Sequence, residues 1–251
     1  MLFSYLLYRL RHTTKFEIIQ YFLDKPEAPL SLHNICDIGH KVYKSKINEY
    51  WTPLTALLAT RDRFKEAADS FHDFDIKFFT FHNNTIDFRE MAIPSKNDSS
   101  MVLFCIGMYG ETTINEANYL VIKELMALQH CLGIVGGIGN RAFYIVGFQD
   151  DKLLVLDPHT VQKEAPADDI SSFSANKNVK IKPYNHFNPC LCMAFMIRNR
   201  SDLVNFSKSM AQIADGIPNS YLYVTGVQEL RRWLQDSGYT VDPSLSFKLS
   251  K

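Results

Sequence analysis

Apolar positions recur at helical spacing along the first part of the chain and then bunch into short continuous runs. In KFEIIQYFLDK, residues 15 to 25, Phe16, Ile19, Phe22 and Leu23 fall on one helical face. TPLTALLATRDRFKEAADSF places Thr52 as an N-cap and Pro53 at the first helical position, with apolar residues at 54, 57 and 58, so a helix is expected over 53–66. Helices are also predicted over 113–129, 201–213 and 227–235. Strands are predicted over 101–108, 131–137, 142–148, 152–157 and 190–197, and a weaker one over 220–226. FDIKFFTFHNN, 74 to 84, alternates aromatic and polar residues as an edge strand does. Several strand candidates are almost wholly apolar, which points to a sheet covered on both faces, and the QDD link at 149–151 has hairpin length. PSKNDSS, 94–100, separates a mainly helical half, 1–94, from a sheet-containing half, 101–226, of one domain spanning 1–251. The pattern is that of an α+β fold with a mainly antiparallel sheet flanked by helices.

Composition narrows the partners more than the fold. The chain has 251 residues, 46% of them hydrophobic, enough for a sizeable core. Lys plus Arg and Asp plus Glu number 27 each, so no charge field draws the chain to nucleic acid. Five cysteines, at 36, 105, 131, 190 and 192, are an odd set, and most lie in apolar runs. Free thiols packed as small hydrophobes fit a reducing compartment, so a cytoplasmic location is expected. MLFSYLLY is apolar but short and lacks a preceding basic residue, so it reads as neither a signal peptide nor a membrane span. Cys190 and Cys192, two apart, are expected on one strand face.

The chemistry centres on Asp157-Pro158-His159, at the end of the strand predicted over 152–157. Residues two apart in an extended segment share a side, so the carboxylate can meet the imidazole and fix its tautomer. Such a pair serves a Cys or Ser nucleophile brought from elsewhere. A plain turn with a surface histidine has the same spacing. No other His or Cys stands nearby at metal-ligand spacing, and no metal or cofactor is expected.

The run LGIVGGIGNRAFYIVGFQDDKLLVLDPHTVQ resembles the active-site segment of the autophagins, the autophagy cysteine endopeptidases. Leu132, Gly133, Gly136, Gly137, Tyr144, Gly147, Leu156, Asp157, Pro158, His159 and Gln162 carry the likeness. Ile114-Asn115-Glu116-Ala117 is similar to the family's I-N-E-A helix, and SLHNI at 31–35, followed by YWTP at 50–53, to its S-I-H-x-I segment and aromatic turn. The resemblance, over roughly residues 15 to 215, implies a papain-like cysteine protease fold. It implies cleavage after the C-terminal Gly of ubiquitin-like modifiers of the GABARAP and light-chain-three type, and their release from phosphatidylethanolamine. Contact with membranes is then transient, and nucleic acid is not a partner. His159 becomes the general base and acid, and Asp157 its orienting carboxylate. Tyr50 or Trp51 takes the place of the Trp that packs over the scissile Gly. Gly137, Gly139 and Asn140 belong to the loop that closes the cleft, where Gly139 in place of the family's Pro makes that loop more flexible.

The family's nucleophile is the Cys of a Gly-Trp-Gly-Cys motif, and no Trp-Gly-Cys occurs in this sequence. The expectation is that the chain begins just after its nucleophile, MLFSYLLYRL matching the helix that follows it. The alternative is an inactive protein that binds the modifier without cleaving it. Tyr221-Leu222-Tyr223-Val224 fits the aromatic-x-x-aliphatic form of the family's modifier-binding tails, but reads more simply as a core strand.

Overall fold

A computed structural model describes residues 1–11, 14–46, 49, 51–67, 70, 76–91, 100–159 and 179–238. Its helices are α1 (Leu2–Arg11), α2 (Lys15–Gln20), α3 (Leu32–Tyr43), α4 (Pro53–Glu66), α5 (Glu116–Ala127), α6 (Arg200–Gly216) and α7 (Val227–Asp236). Its strands are β1 (Ile76–Phe81), β2 (Thr85–Asp87), β3 (Ser100–Met108), β4 (Cys131–Ile138), β5 (Arg141–Gln149), β6 (Lys152–Leu156), β7 (Val179–Pro183), β8 (Cys190–Ile197) and β9 (Tyr223–Thr225). Two compact units divide the chain: Met1–Asp75 with Leu132–Pro183, and Ile76–Cys131 with Tyr184–Lys251.

The first unit opens with four helices. α1 buries Leu2, Phe3, Leu6 and Leu7, a stripe of i, i+4 and i, i+1 positions. α2 starts with a capping box in which Thr14 and Glu17 exchange side-chain and backbone bonds. It stops at Gln20, earlier than the 15–25 periodicity suggests. The amides of Tyr21 and Phe22 reach back three residues to Ile18 and Ile19 at 3.2 and 2.9 Å, tightening the last turn, and Pro26 bars Lys25 from helical backbone. α4 runs over the residues expected, with Thr52 as N-cap and Pro53 at its head. The Tyr43 hydroxyl of α3 donates to the Asp62 carboxylate of α4, which also accepts from Arg61 Nε at 2.7 Å.

The same unit holds a meander in which β4, β5, β6 and β7 pair successively and antiparallel. One tight spot explains a glycine. Gly133 has φ +121°, and the Tyr144 ring lies where its Cβ would be, 2.7 Å away, with the Tyr144 hydroxyl donating to Leu132 O. A register shift between Ile145 and Gly147 bulges β5 and leaves Val146 exposed.

In the second unit β3 lies between β1, which it pairs in parallel, and β8, which it pairs antiparallel. β2 and β9 form a small parallel pair of their own. The sheet pairings are therefore mainly antiparallel, with two parallel exceptions that side-chain patterning does not announce. β1 lies at the end of the strand order, in keeping with its alternating sequence. Phe104, Phe195, Phe206 and Phe88 are fully buried, with Phe206 5.2 Å from Phe195 and 6.0 Å from Phe88 between ring centroids. The 221–224 tetrapeptide buries Leu222 but leaves Tyr221 and Tyr223 exposed, so it is an edge rather than a core strand. Cys190 and Cys192 differ as well: Cys190 starts β8 opposite exposed Met108 and is itself exposed, whereas Cys192 is buried. Among the described residues, no helix is long and apolar enough to cross a membrane.

Candidate active site

Asp157 and His159 meet at the end of β6. The Asp157 Oδ1 accepts from the His159 backbone N–H at 3.0 Å and lies 2.7 Å from the His159 Nδ1. The short Asp-Pro-His bend delivers both contacts: Pro158 cannot extend the ladder, so the chain turns and folds His159 back over the carboxylate. Asp157 also accepts from Lys180 Nζ of β7 at 2.8 Å through Oδ2. Its side chain is 7% exposed, that of His159 36%. The buried Phe143 of β5 packs edge-on against the imidazole, 6.0 Å between centroids. The ring is thus held by a carboxylate on Nδ1 and an aromatic beside it, with Nε2 left to meet other chemistry.

The electrostatics follow the contacts. The Lys180 hydrogen bond, then the His159 backbone and ring hydrogen bonds, hold the Asp157 carboxyl well below the usual carboxylate range. Asp157 is therefore an anion throughout the neutral range. An anion on Nδ1 favours the tautomer protonated there and leaves the Nε2 lone pair free to accept a proton.

The remaining predicted residues sit as follows. Gly137 lies in β4 opposite Ala142, next to the pair Gly136 and Phe143, and so is one register step from the ring that packs on His159. Gly139 and Asn140 are the two central residues of the β4–β5 hairpin. Gly139 has φ +57° with open space where a Cβ would be, which suits the first central position of a type II′ turn. Gly139 thus closes the β4–β5 hairpin. Tyr50 and Gln162 lie outside the described residues. Trp51 is held by α3: its indole fills the notch over Gly39, where a Cβ would stand 1.8 Å from the ring, and its Nε1 donates to Lys46 O at 3.4 Å.

Gly39→Val therefore removes the seat of Trp51. The expected cost is about 1–3 kcal/mol, as for other overpacked sites. In a Trp233→Phe background, where Trp51 is the sole indole, its fluorescence should shift to the red. An unchanged spectrum and unfolding midpoint would show that the indole does not depend on the notch.

Two contacts escape sequence reading. Lys180 is 23 residues from Asp157, in a strand whose VKIKP sequence gives no strand signal. A second imidazole–carboxylate pair joins His130 Nε2 to Asp202 at 2.9 Å across 72 residues. His130 is 3% exposed and edge-on to Phe206, while Asp202 accepts the Arg198 amide in the first turn of α6. That pair is a buried fastening of α6; the Asp157–His159 pair, with its half-open ring, is the one a substrate can reach. Among the described residues, no group of His, Cys, Asp and Glu is arranged to hold a metal ion.

Burial pushes the Cys105 thiol up, pushes Cys192 up to about 12, and raises Cys36 as well.

With this geometry in view, the family model for the peptidase C54 catalytic domain matches residues 7–209. The chain belongs to the peptidase C54 family. Similar proteins include the human cysteine protease ATG4C, 26% identical over 217 residues, which cover 78% of this chain and 45% of that protein. The Candida albicans cysteine protease ATG4 is 26% identical over 229 residues, 85% of this chain and 49% of that protein. The zebrafish (Danio rerio) cysteine protease atg4da is 24% identical over 251 residues, 94% of this chain and 50% of that protein. The chain thus spans about half the length of the curated relatives it matches. Within the C54 match, the mixed architecture with mainly antiparallel sheet pairings is of the papain-like kind expected from the sequence.

Proposed function

We propose that this C54 chain is the histidine–aspartate half of a thiol protease that cleaves after the C-terminal Gly of a GABARAP or light-chain-three-type ubiquitin-like modifier, and that frees the same modifier from phosphatidylethanolamine. The observation that carries the reading is the 2.7 Å contact between the Asp157 carboxylate and the His159 Nδ1, beside a half-exposed ring. The family match and the names of the relatives support it. In this chemistry a thiol gives its proton to His159 Nε2, and the thiolate attacks the Gly carbonyl carbon. The imidazolium then protonates the departing amine as the C–N bond breaks. The thioester is hydrolysed by a water that His159 deprotonates, which frees the Gly carboxylate and restores the thiol. Cleavage of the lipid conjugate is the same acyl transfer with ethanolamine nitrogen as the leaving group, so the chain works at the membrane surface without entering it. A reducing, cytoplasmic setting suits a chain that depends on free thiols.

A second reading, binding of the modifier without cleavage, is favoured by the raised thiols of Cys36, Cys105 and Cys192. The full chain joined behind a Gly-Trp-Gly-Cys segment, which supplies the thiol absent from this sequence, and incubated with a modifier that carries residues beyond its Gly, separates the two. Release of the extension, read by mass and abolished by His159→Ala, is the expected result of the enzyme reading. A stable complex with an intact extension supports the binding reading, and neither binding nor release overturns both.

A further inference from the structure

We propose that Lys180 is a positioning residue of the site: its ammonium pins the Asp157 carboxylate so that Oδ1 is committed to His159, and so sets which ring nitrogen of His159 carries the proton. The catalytic meaning of this rests on the thiol-protease reading, but the geometry stands without it.

Asp157 divides its two oxygens between two partners. Oδ1 serves His159 twice, through the backbone N–H at 3.0 Å and Nδ1 at 2.7 Å, and Oδ2 serves Lys180 Nζ at 2.8 Å. A carboxylate bonded at one oxygen alone can still turn about its Cβ–Cγ bond. A cation on the other oxygen removes that freedom and keeps the group ionised. The strand register delivers the lysine. On β7, Lys180 lies opposite Val155 of β6, and Asp157 follows Val155 by two residues, so all three belong to one side of the sheet. Val179 and Ile181, on the other side, are exposed.

An ordinary surface lysine spends its charge on water, and such pairs contribute little. Lys180 is 49% exposed, yet its ammonium turns to a carboxylate that is only 7% exposed. The Lys180 hydrogen bond is also the leading cause of the depressed Asp157 carboxyl. Phe143 fixes the ring from the side, but an aromatic edge cannot choose between tautomers. That choice falls to Asp157, and through it to Lys180.

The test uses the full chain with 15N-labelled histidine rings. Long-range proton–nitrogen spectra at neutral pH identify the protonated nitrogen of His159, assigned by His159→Gln. Wild type and Lys180→Arg, which keeps a cation on the strand, should hold the Nδ1-protonated tautomer. Lys180→Met should lose that signature and give a mixture shifted toward Nε2 protonation, with the amide spectrum elsewhere unchanged. A folded Lys180→Met with the wild-type ring shifts overturns the proposal, and so does a Lys180→Arg variant no better than Lys180→Met. Should Lys180→Met fail to fold, Lys180→Gln is read by the same criterion. Cleavage of the Gly-extended modifier is followed alongside, with the thiol supplied by a preceding Gly-Trp-Gly-Cys segment. A tautomer that moves in a chain without cleavage sustains the role of Lys180 and counts against the protease reading; cleavage with an unmoved tautomer does the reverse.

Discussion

Phe104→Ala is expected to destabilise the chain by about 3–5 kcal/mol. Phe104 is wholly buried in β3, opposite Ala194 of β8, with its ring 6.0 Å from that of Phe78 on β1. Its backbone is paired on both sides, with Thr80 of β1 and Ala194 of β8, so β3 cannot shift to fill the space without breaking ladder bonds. The cavity term should therefore stand near the upper part of the usual range. A chain of this size has a total stability of about 5–15 kcal/mol, so the substitution removes a large share of it. The measurement is the urea midpoint of the full chain, with Phe148→Ala as control. Phe148 sits in β5 at 37% exposure, and its loss should change stability by only about 0.5 kcal/mol. If the two variants unfold together, β3 is not the centre of its unit.

With the thiol supplied by a preceding Gly-Trp-Gly-Cys segment, Asp157→Asn should slow cleavage of a Gly-extended modifier by roughly four orders of magnitude, the effect known for a triad held in the wrong tautomer. The substitution keeps shape and volume but replaces one acceptor by a donor. Three donors converge on the Asp157 carboxylate: two from His159 on Oδ1 and the Lys180 ammonium on Oδ2. If the amide turns its oxygen to Lys180, its NH2 faces the His159 backbone N–H and forces Nδ1 to become an acceptor, which moves the proton to Nε2. If it turns its oxygen to His159, the NH2 points at an ammonium. Both orientations set donor against donor, so stability and rate should fall together. Binding of the modifier, which does not require a particular tautomer, should survive. A variant that cleaves at the wild-type rate would remove Asp157 from the mechanism.

The helices were unevenly legible: α3, Leu32–Tyr43, is not among those the periodicity predicts, whereas α4 is. α4 needs only Thr52, Pro53 and an apolar stripe to declare its start, and the structure begins it there. β3 and β8 declare themselves because strands buried on both faces are almost wholly apolar. β7 does not, because VKIKP is a short run with only two aliphatic residues, both exposed, and it ends in Pro183. The Asp157–His159 contact is legible because two residues along an extended chain must share a side. Lys180 and the His130–Asp202 pair are not, because register and helix placement bring those residues together and no spacing along the sequence records either. Gly139 has two consequences that its residue type alone does not separate. A glycine without a Cβ suggests looseness, yet the same freedom allows the left-handed backbone of a tight turn.

The two units are each assembled from two stretches that alternate along the chain. For a ribosome this is an awkward order of delivery. When Met1–Asp75 has emerged, its helices still lack the meander of Leu132–Pro183, and the next stretch to appear, Ile76–Cys131, belongs to the other unit. Phe3 of α1 can meet Phe64 of α4 within the first stretch, but whatever this stretch shares with the meander must wait while sequence of the other unit is synthesised. High separation between contacting residues slows folding and lengthens the time the waiting surfaces stay bare. Chaperone demand during synthesis is thus written into the order in which the chain alternates between its two units.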